Sequence, residues 1–241
     1  MFPYESAILD VLPTNRKPSM KSTTVSSFEE LLKEFEKEKE GQNIVFRGVT
    51  NSSYQLLTSL GRCEPINGKS LEQLEKRLIK VFKESSVPYL EHKPANEMEW
   101  LAIAQHFGLP TRLLDWSYNP LVATYFAIES NPSEDAAIYI LSGCSTIQDP
   151  QAFKPLTIDK VYKYRPPYIS ARIQNQAGLF TVHPHPDQAF EHDKLRRVII
   201  PKGIKGVIKK TLFKYGINQR LIYPGLEGVS RDLKWLETKI Y

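Results

Sequence analysis

Apolar residues after Ser27 recur at the spacing of one helical face: Phe28, Leu31, Leu32 and Phe35 fall at i, i+3, i+4 and i+7. Ser27 and Glu30 stand at capping-box spacing, which predicts a helix starting at Ser27 and ending at Gly41. Its Lys/Glu-rich end, residues 33–40, reads as a solvated face. Residues 43–47 (Asn-Ile-Val-Phe-Arg) read as a short strand stopped by Gly48. A second helix is expected over residues 70–86, with Leu71, Leu74, Leu78 and Phe82 on one face. A third starts near Asn96, carries Trp100, Ala104 and Phe107, and ends at Gly108 with Pro110 just beyond. Asn119-Pro120 sets a cap residue before a proline at the first helical position. The helix that follows is apolar nearly all round (Leu121, Val122, Tyr125, Phe126), which predicts burial.

The period then changes. Residues 136–141, 158–164, 178–183 and 197–200 read as strands. Two closing helices follow, one with Ile204, Val207, Ile208, Leu212 and Tyr215 on one face, the other with Val229, Leu233, Leu236 and Ile240. Helices lie mostly in the N-terminal half and no regular βαβ alternation appears. An α+β fold is expected, with helices packed on a mixed or antiparallel sheet. Residues 1–25, with Pro3, Pro13 and Pro18, read as an N-terminal arm before a single domain over residues 26–241.

Composition adds exclusions. Of 241 residues, 41% are apolar and 24% charged, a globular balance unlike that of a disordered chain. The formal charge of +5 is spread among acids, which permits nucleic-acid binding without indicating it. Cys63 and Cys144 form no CxxC pair, which argues against a disulfide scaffold or a zinc site and fits a reducing cytoplasm. No apolar stretch approaches the roughly 20 residues of a spanning helix, and residues 1–10 lack a signal-peptide pattern, so a cytoplasmic location without membrane partners is expected.

Four polar groups are candidates for chemistry. Arg47 offers a planar fork of donors that suits a diphosphate, a carboxylate or a ribose edge, and Gly48 lets a backbone approach a ligand. A structural carboxylate would suit Arg47 equally well. Residues 105–120 pack His106, Arg112, Asp115, Trp116 and Tyr118 into what reads as a polar loop between two buried helices. There Arg112 and Asp115 either pair with each other or face a ligand. Arg172, Gln174 and Gln176 alternate, as on one face of a strand, and either line a pocket or form a wet face. Glu227, among glycines ahead of a helix, is a capping group or a general acid. His183, His185 and His192 have no Glu, Asp or Cys at a familiar ligand spacing, and no metal site is expected. GxGxxG, Walker A, GxSxG and HExxH sequences are absent.

Taken together, Phe46-Arg47-Gly48, the run 106–116 with Pro120 and Tyr125-Phe126-Ala127, and Arg172 with Gln176-Ala177-Gly178-Leu179-Phe180 resemble the FRG domain over roughly residues 25–235. That family is widespread in bacteria and their mobile elements. A more distant resemblance is to arginine-type ADP-ribosyltransferases. It implies NAD or a related nucleotide as substrate and an unknown macromolecular target in bacterial or phage conflict. It also implies that Arg47, Gly48, His106, Arg112, Trp116, Tyr125 and Arg172 bind the nucleotide, with Asp115, Gln176 and Glu227 as the catalytic candidates. The sequence departs from that pattern where a late strand should supply a glutamate, because Gln174 and Gln176 stand there. A glutamine can hydrogen-bond a ribose hydroxyl but cannot take up a proton. Two alternatives stay open: a nucleic-acid-binding or processing protein using Lys202, Lys205, Lys209 and Lys210, or a non-catalytic ligand- or partner-sensing module.

Overall fold

Four helices start where their capping residues stand. Ser27, Ser70, Asn96 and Asn119 each accept backbone N–H groups of the first turn, which satisfies donors that no intrahelical carbonyl reaches. A computed structural model describes residues 20–37, 43–130, 133–167 and 171–238. Gly41, Ile240 and most of the proposed N-terminal arm lie outside the described residues. The elements in chain order are β1 (Lys21–Thr24), α1 (Phe28–Glu36), β2 (Val45–Val49), α2 (Leu71–Ser86), α3 (Glu97–His106), β3 (Leu113–Ser117), α4 (Pro120–Ile128) and β4 (Ala136–Leu141). They continue with β5 (Tyr162–Tyr164), α5 (Ala171–Asn175), β6 (Gly178–Val182), β7 (Leu195–Ile200), α6 (Lys202–Lys214), α7 (Gln219–Ile222) and α8 (Leu226–Thr238).

The strands form one seven-stranded sheet in the order β1-β7-β4-β2-β3-β6-β5. β1 runs parallel to β7 and every other pairing is antiparallel, so the sheet is mixed and the fold α+β. Both sheet faces are covered. Along β4, Ile138 and Ile140 pack with Phe46, Val122 and Ile208 on one face, while Tyr139 and Leu141 pack with Val45, Trp116 and Leu195 on the other. A third cluster joins α3 to β3 and β6 through Leu101, Leu113 and Phe180. Near-continuous apolar runs such as residues 136–141 follow from this double coverage.

Several sequence expectations are corrected. Gly48 does not stop the strand but sits inside β2, because α4 crosses at that point. A Cβ there would lie 1.9 Å from the Ala123 carbonyl oxygen and 2.5 Å from the Ala127 nitrogen, both backbone atoms. Gly48→Ala is therefore expected to destabilise by about 1–3 kcal/mol or more, since backbone cannot yield as a side chain can. A urea midpoint equal to that of the wild type would remove this account of Gly48.

Residues 105–120 are not a loop between helices: β3 runs through the middle of the stretch, paired with β6 from Leu113↔Val182 to Ser117↔Gly178. Arg172, Gln174 and Gln176 do not alternate on a strand; α5 and the turn after it hold them, and the strand starts at Gly178. The strand expected over residues 158–164 shortens to Tyr162–Tyr164, and Lys21–Thr24 of the proposed arm is an edge strand. The polar end of α1 is not wholly solvated, because Glu34 is buried against Arg196, which also donates to the Glu34 carbonyl at 2.6 Å.

The closing helices depart most. On α6 the buried face includes Lys205 and Lys209, whereas Val207 and Tyr215 are exposed. The Lys205 ammonium donates to the Glu134 carbonyl at 3.1 Å, which satisfies part of the cost of burying it. On α8 the expected apolar face (Val229, Leu233, Leu236) is exposed, and Gly228 and Asp232 face inward. A Cβ at Gly228 would lie 2.1 Å from the Tyr223 carbonyl oxygen, and Asp232 accepts the Gln219 and Arg220 backbone N–H groups at the start of α7. Close backbone approach and a buried cap outweighed the apolar period.

Candidate functional site

The sheet opens at its centre. β2 pairs with β4 along its whole length and β3 with β6 likewise, but β2 and β3 meet only at Phe46↔Ser117. Beyond that pair the strands splay, leaving backbone groups without ladder partners. Arg47 fills the gap: its Nη1 donates to the Asp115 carbonyl at 2.6 Å and lies 3.4 Å from the Asp115 carboxylate. Its Nε is buried with no hydrogen-bond partner. The side chain is only 20% exposed, whereas that of Asp115 is 58% exposed. Gln105, at the end of α3, donates to the same carboxylate at 3.0 Å and accepts from Thr111 at 2.7 Å.

A cleft of about 1360 Å³ extends from this split, lined by residues of β2, β3, α3, α4 and α5. Of the residues proposed from the sequence, it brings together Arg47, Gly48, His106, Asp115, Trp116, Arg172 and Gln176. Burial pushes the His106 imidazole below its ordinary pKa, and Arg172 adds to this while Asp115 opposes it, so His106 is neutral at pH 7. Gln176 spends its amide N–H on the Ile222 carbonyl at 3.1 Å. Trp116 is buried and donates its indole N–H to Thr181 at 2.8 Å.

Thr181 Oγ1 accepts from the indole and lies 2.8 Å from His183 Nε2, so Trp116, Thr181 and His183 form one buried hydrogen-bonded chain. Burial, with Arg47 and Arg112 nearby, pushes His183 down to about 3. A histidine depressed on folding contributes stability that is complete above about pH 6.5 and is lost as pH falls towards the folded value. The His183 imidazole resonances should therefore stay flat from pH 8 to pH 4. A midpoint near 6.5 would break the Trp116–Thr181–His183 chain as drawn.

Three expectations fall outside the cleft. Arg112 is buried behind the sheet and pairs with Glu75 rather than Asp115: Nε and Nη2 donate to the carboxylate at 2.9 and 2.5 Å, and Nη1 to the Pro155 and His183 carbonyls. Tyr125 is buried in the core beneath α4, where desolvation raises its phenol far above the usual range. Glu227 is exposed in the first turn of α8 and pairs with Arg231 at 2.6 Å.

Conversely, the cleft holds groups the sequence reading missed: Gln105, Phe107, Phe126, Arg62, Tyr54 and Glu129. Phe107 is 72% and Tyr54 53% exposed, so flat rings stand at the cleft with a free face. Glu129 carried a legible signal as the sole charged residue in the segment 120–129. Burial raises its carboxyl above the usual range, opposed by a hydrogen bond from Tyr223 and by Arg231, Arg172 and Lys209.

The FRG domain model matches this region. Residues 42–136 match the FRG domain. The FRG match contains both walls of the split, β2 and β3, and all of α4; Arg172 and Gln176 lie beyond it. No curated protein and no solved structure matches the chain. Among the described residues no helix is long and apolar enough to cross a membrane, and no group of three His, Cys, Asp or Glu could hold a metal ion. Burial of Lys205 and Lys209 removes two of the four lysines offered for nucleic acid on α6.

Proposed function

We propose that the cleft binds a nucleotide carrying a diphosphate, NAD or a close relative, and transfers its sugar in the manner of an ADP-ribosyltransferase. The observation that carries this reading is the meeting of Arg47 and Arg172, 125 positions apart in the chain, on one cleft that also holds Asp115. Two guanidinium groups suit the diphosphate oxygens, and their planar forks fix its orientation. The exposed faces of Phe107 and Tyr54 suit stacking of a planar ring. Trp116 and Tyr125, expected from the sequence to bind the nucleotide, are buried and offer no such face.

The chemistry would break the bond between the ribose C1′ and the nicotinamide nitrogen. Nicotinamide leaves with the electron pair, and positive charge develops on the sugar. An acceptor nucleophile then bonds to C1′ and gives up its proton. Asp115, fixed by Arg47 and Gln105, supplies negative charge beside the sugar.

Nicotinamide release from NAD tests the reaction. Release above the uncatalysed background by wild type, absent in Asp115→Asn, supports transfer. Saturable NAD binding without any release, across protein and nucleic-acid acceptors, would instead favour the ligand-sensing module.

A further inference from the structure

Glu129 follows the last turn of α4 and lines the cleft, yet the glycosyl-transfer chemistry above leaves it unused. Its Oε2 accepts the Tyr223 hydroxyl at 2.8 Å. The Tyr223 ring is itself held between two guanidinium groups, with Arg172 4.8 Å and Arg231 4.3 Å from its centre. Charged and titratable groups face this carboxyl from each packed element: Tyr125 on its own helix, Arg172 from α5, Lys209 from α6, Tyr223 from the end of α7 and Arg231 from α8. Asp232 acts on Tyr125 and Lys209 rather than facing Glu129 directly. Burial pushes the Tyr223 phenol up, so it stays protonated and remains a donor.

Cations therefore oppose the effect of burial on this carboxyl, and one of them, Arg172, also lines the ligand cleft. We propose that Glu129 takes up a proton when an anionic ligand occupies the cleft, so that ligand binding and protonation of this carboxyl are coupled. The coupling rests on the anion-binding reading of the cleft. Phosphate oxygens drawn onto Arg172 cancel its charge and bring negative charge next to Glu129, and both effects disfavour the carboxylate.

The sign follows from linkage. The ligand-bound carboxyl has the higher pKa, so the gain in affinity is complete below the ligand-free pKa. It is lost as pH rises through the ligand-bound pKa. Burial already raises the ligand-free carboxyl, so this window lies above the ordinary carboxylate range. Affinity about fivefold higher at pH 5.5 than at pH 7.5 is expected. Anionic ligand would load best in a mildly acidified environment.

Calorimetric titration of ADP-ribose near pH 6, in two buffers of different ionisation enthalpy, counts the protons taken up. The diphosphate of ADP-ribose does not titrate there. His106, the histidine of the cleft lining, borders Arg172 and Asp115, so His106→Gln is run beside Glu129→Gln. The wild type and His106→Gln should take up a fraction of a proton per ligand. Glu129→Gln should take up none and should bind equally at pH 5.5 and 7.5, near the wild-type affinity at low pH, because an amide imitates the protonated acid. Uptake that persists in Glu129→Gln, or no uptake by a wild type that binds, overturns the coupling alone. A wild type that fails to bind ADP-ribose at either pH overturns the anion-site reading itself.

Discussion

Replacing Arg47 with alanine is expected to weaken ADP-ribose binding by about 100-fold while the protein stays folded. The guanidinium is anchored on the Asp115 carbonyl at 2.6 Å in the gap where β2 and β3 part. Losing two charge-assisted hydrogen bonds to phosphate costs about 3 kcal/mol, which corresponds to that factor. Removal also leaves Asp115 facing the ligand's like charge without its counter-ion. Arg47→Lys keeps the charge but not the planar fork, and should fall between, about tenfold weaker than wild type. Circular dichroism and a urea midpoint separate this loss from unfolding. An affinity within threefold of wild type for Arg47→Ala would remove Arg47 from the site.

The second large effect concerns stability and separates Arg112 from that site. Arg112 and Glu75 are both almost fully buried, with side chains 4% and 2% exposed, and they join the start of β3 to α2. Replacing either partner alone, Arg112→Met or Glu75→Leu, strands a buried charge and should cost about 3–5 kcal/mol in a urea titration. The double variant should recover most of that loss, less about 1 kcal/mol for each carbonyl, Pro155 and His183, that loses its donor. ADP-ribose affinity should stay within threefold of wild type in the double variant. A selective loss of affinity without loss of stability would return Arg112 to the cleft.

How far the sequence could be read depends on which interactions set each element. Where a local cap and an apolar period agree, as in α3 and α4, the expected helix and its start are found. β3 was hidden because its five residues, LLDWS, offer no clean alternation: both faces of the strand are covered except at Asp115. On α6 the period found Ile208 and Leu212 but also pointed to the exposed Val207 and Tyr215, and on α8 it pointed to exposed residues. A buried lysine, Lys205, satisfied by carbonyls, and a glycine pressed on backbone, are long-range facts with no periodic signature.

The candidate site was legible in part for the same reason. Phe46-Arg47-Gly48 and Asp115-Trp116 stand out as motifs, but the roles within them divided on folding. Arg47 and Asp115 face the cleft, and Gly48 admits α4. Trp116 turns its indole N–H to Thr181, and Arg112, three positions before Asp115, enters the core. Tyr125 and Phe126 are neighbours on one helix with rings 5.9 Å apart, yet only the motif's second aromatic residue lines the cleft. Glu129 supplies a cleft carboxyl that no late strand offered, from the end of a helix whose apolar character drew attention to its core face.

The split between β2 and β3 is proposed as a diphosphate site. Calorimetric titration of the wild type with ADP-ribose and with adenosine, at low and raised salt, tests it most directly. Saturable one-to-one binding of ADP-ribose, at least about tenfold tighter than adenosine and weakened by salt, is the expected result. Equal affinity for the two, or no binding of ADP-ribose, would contradict it.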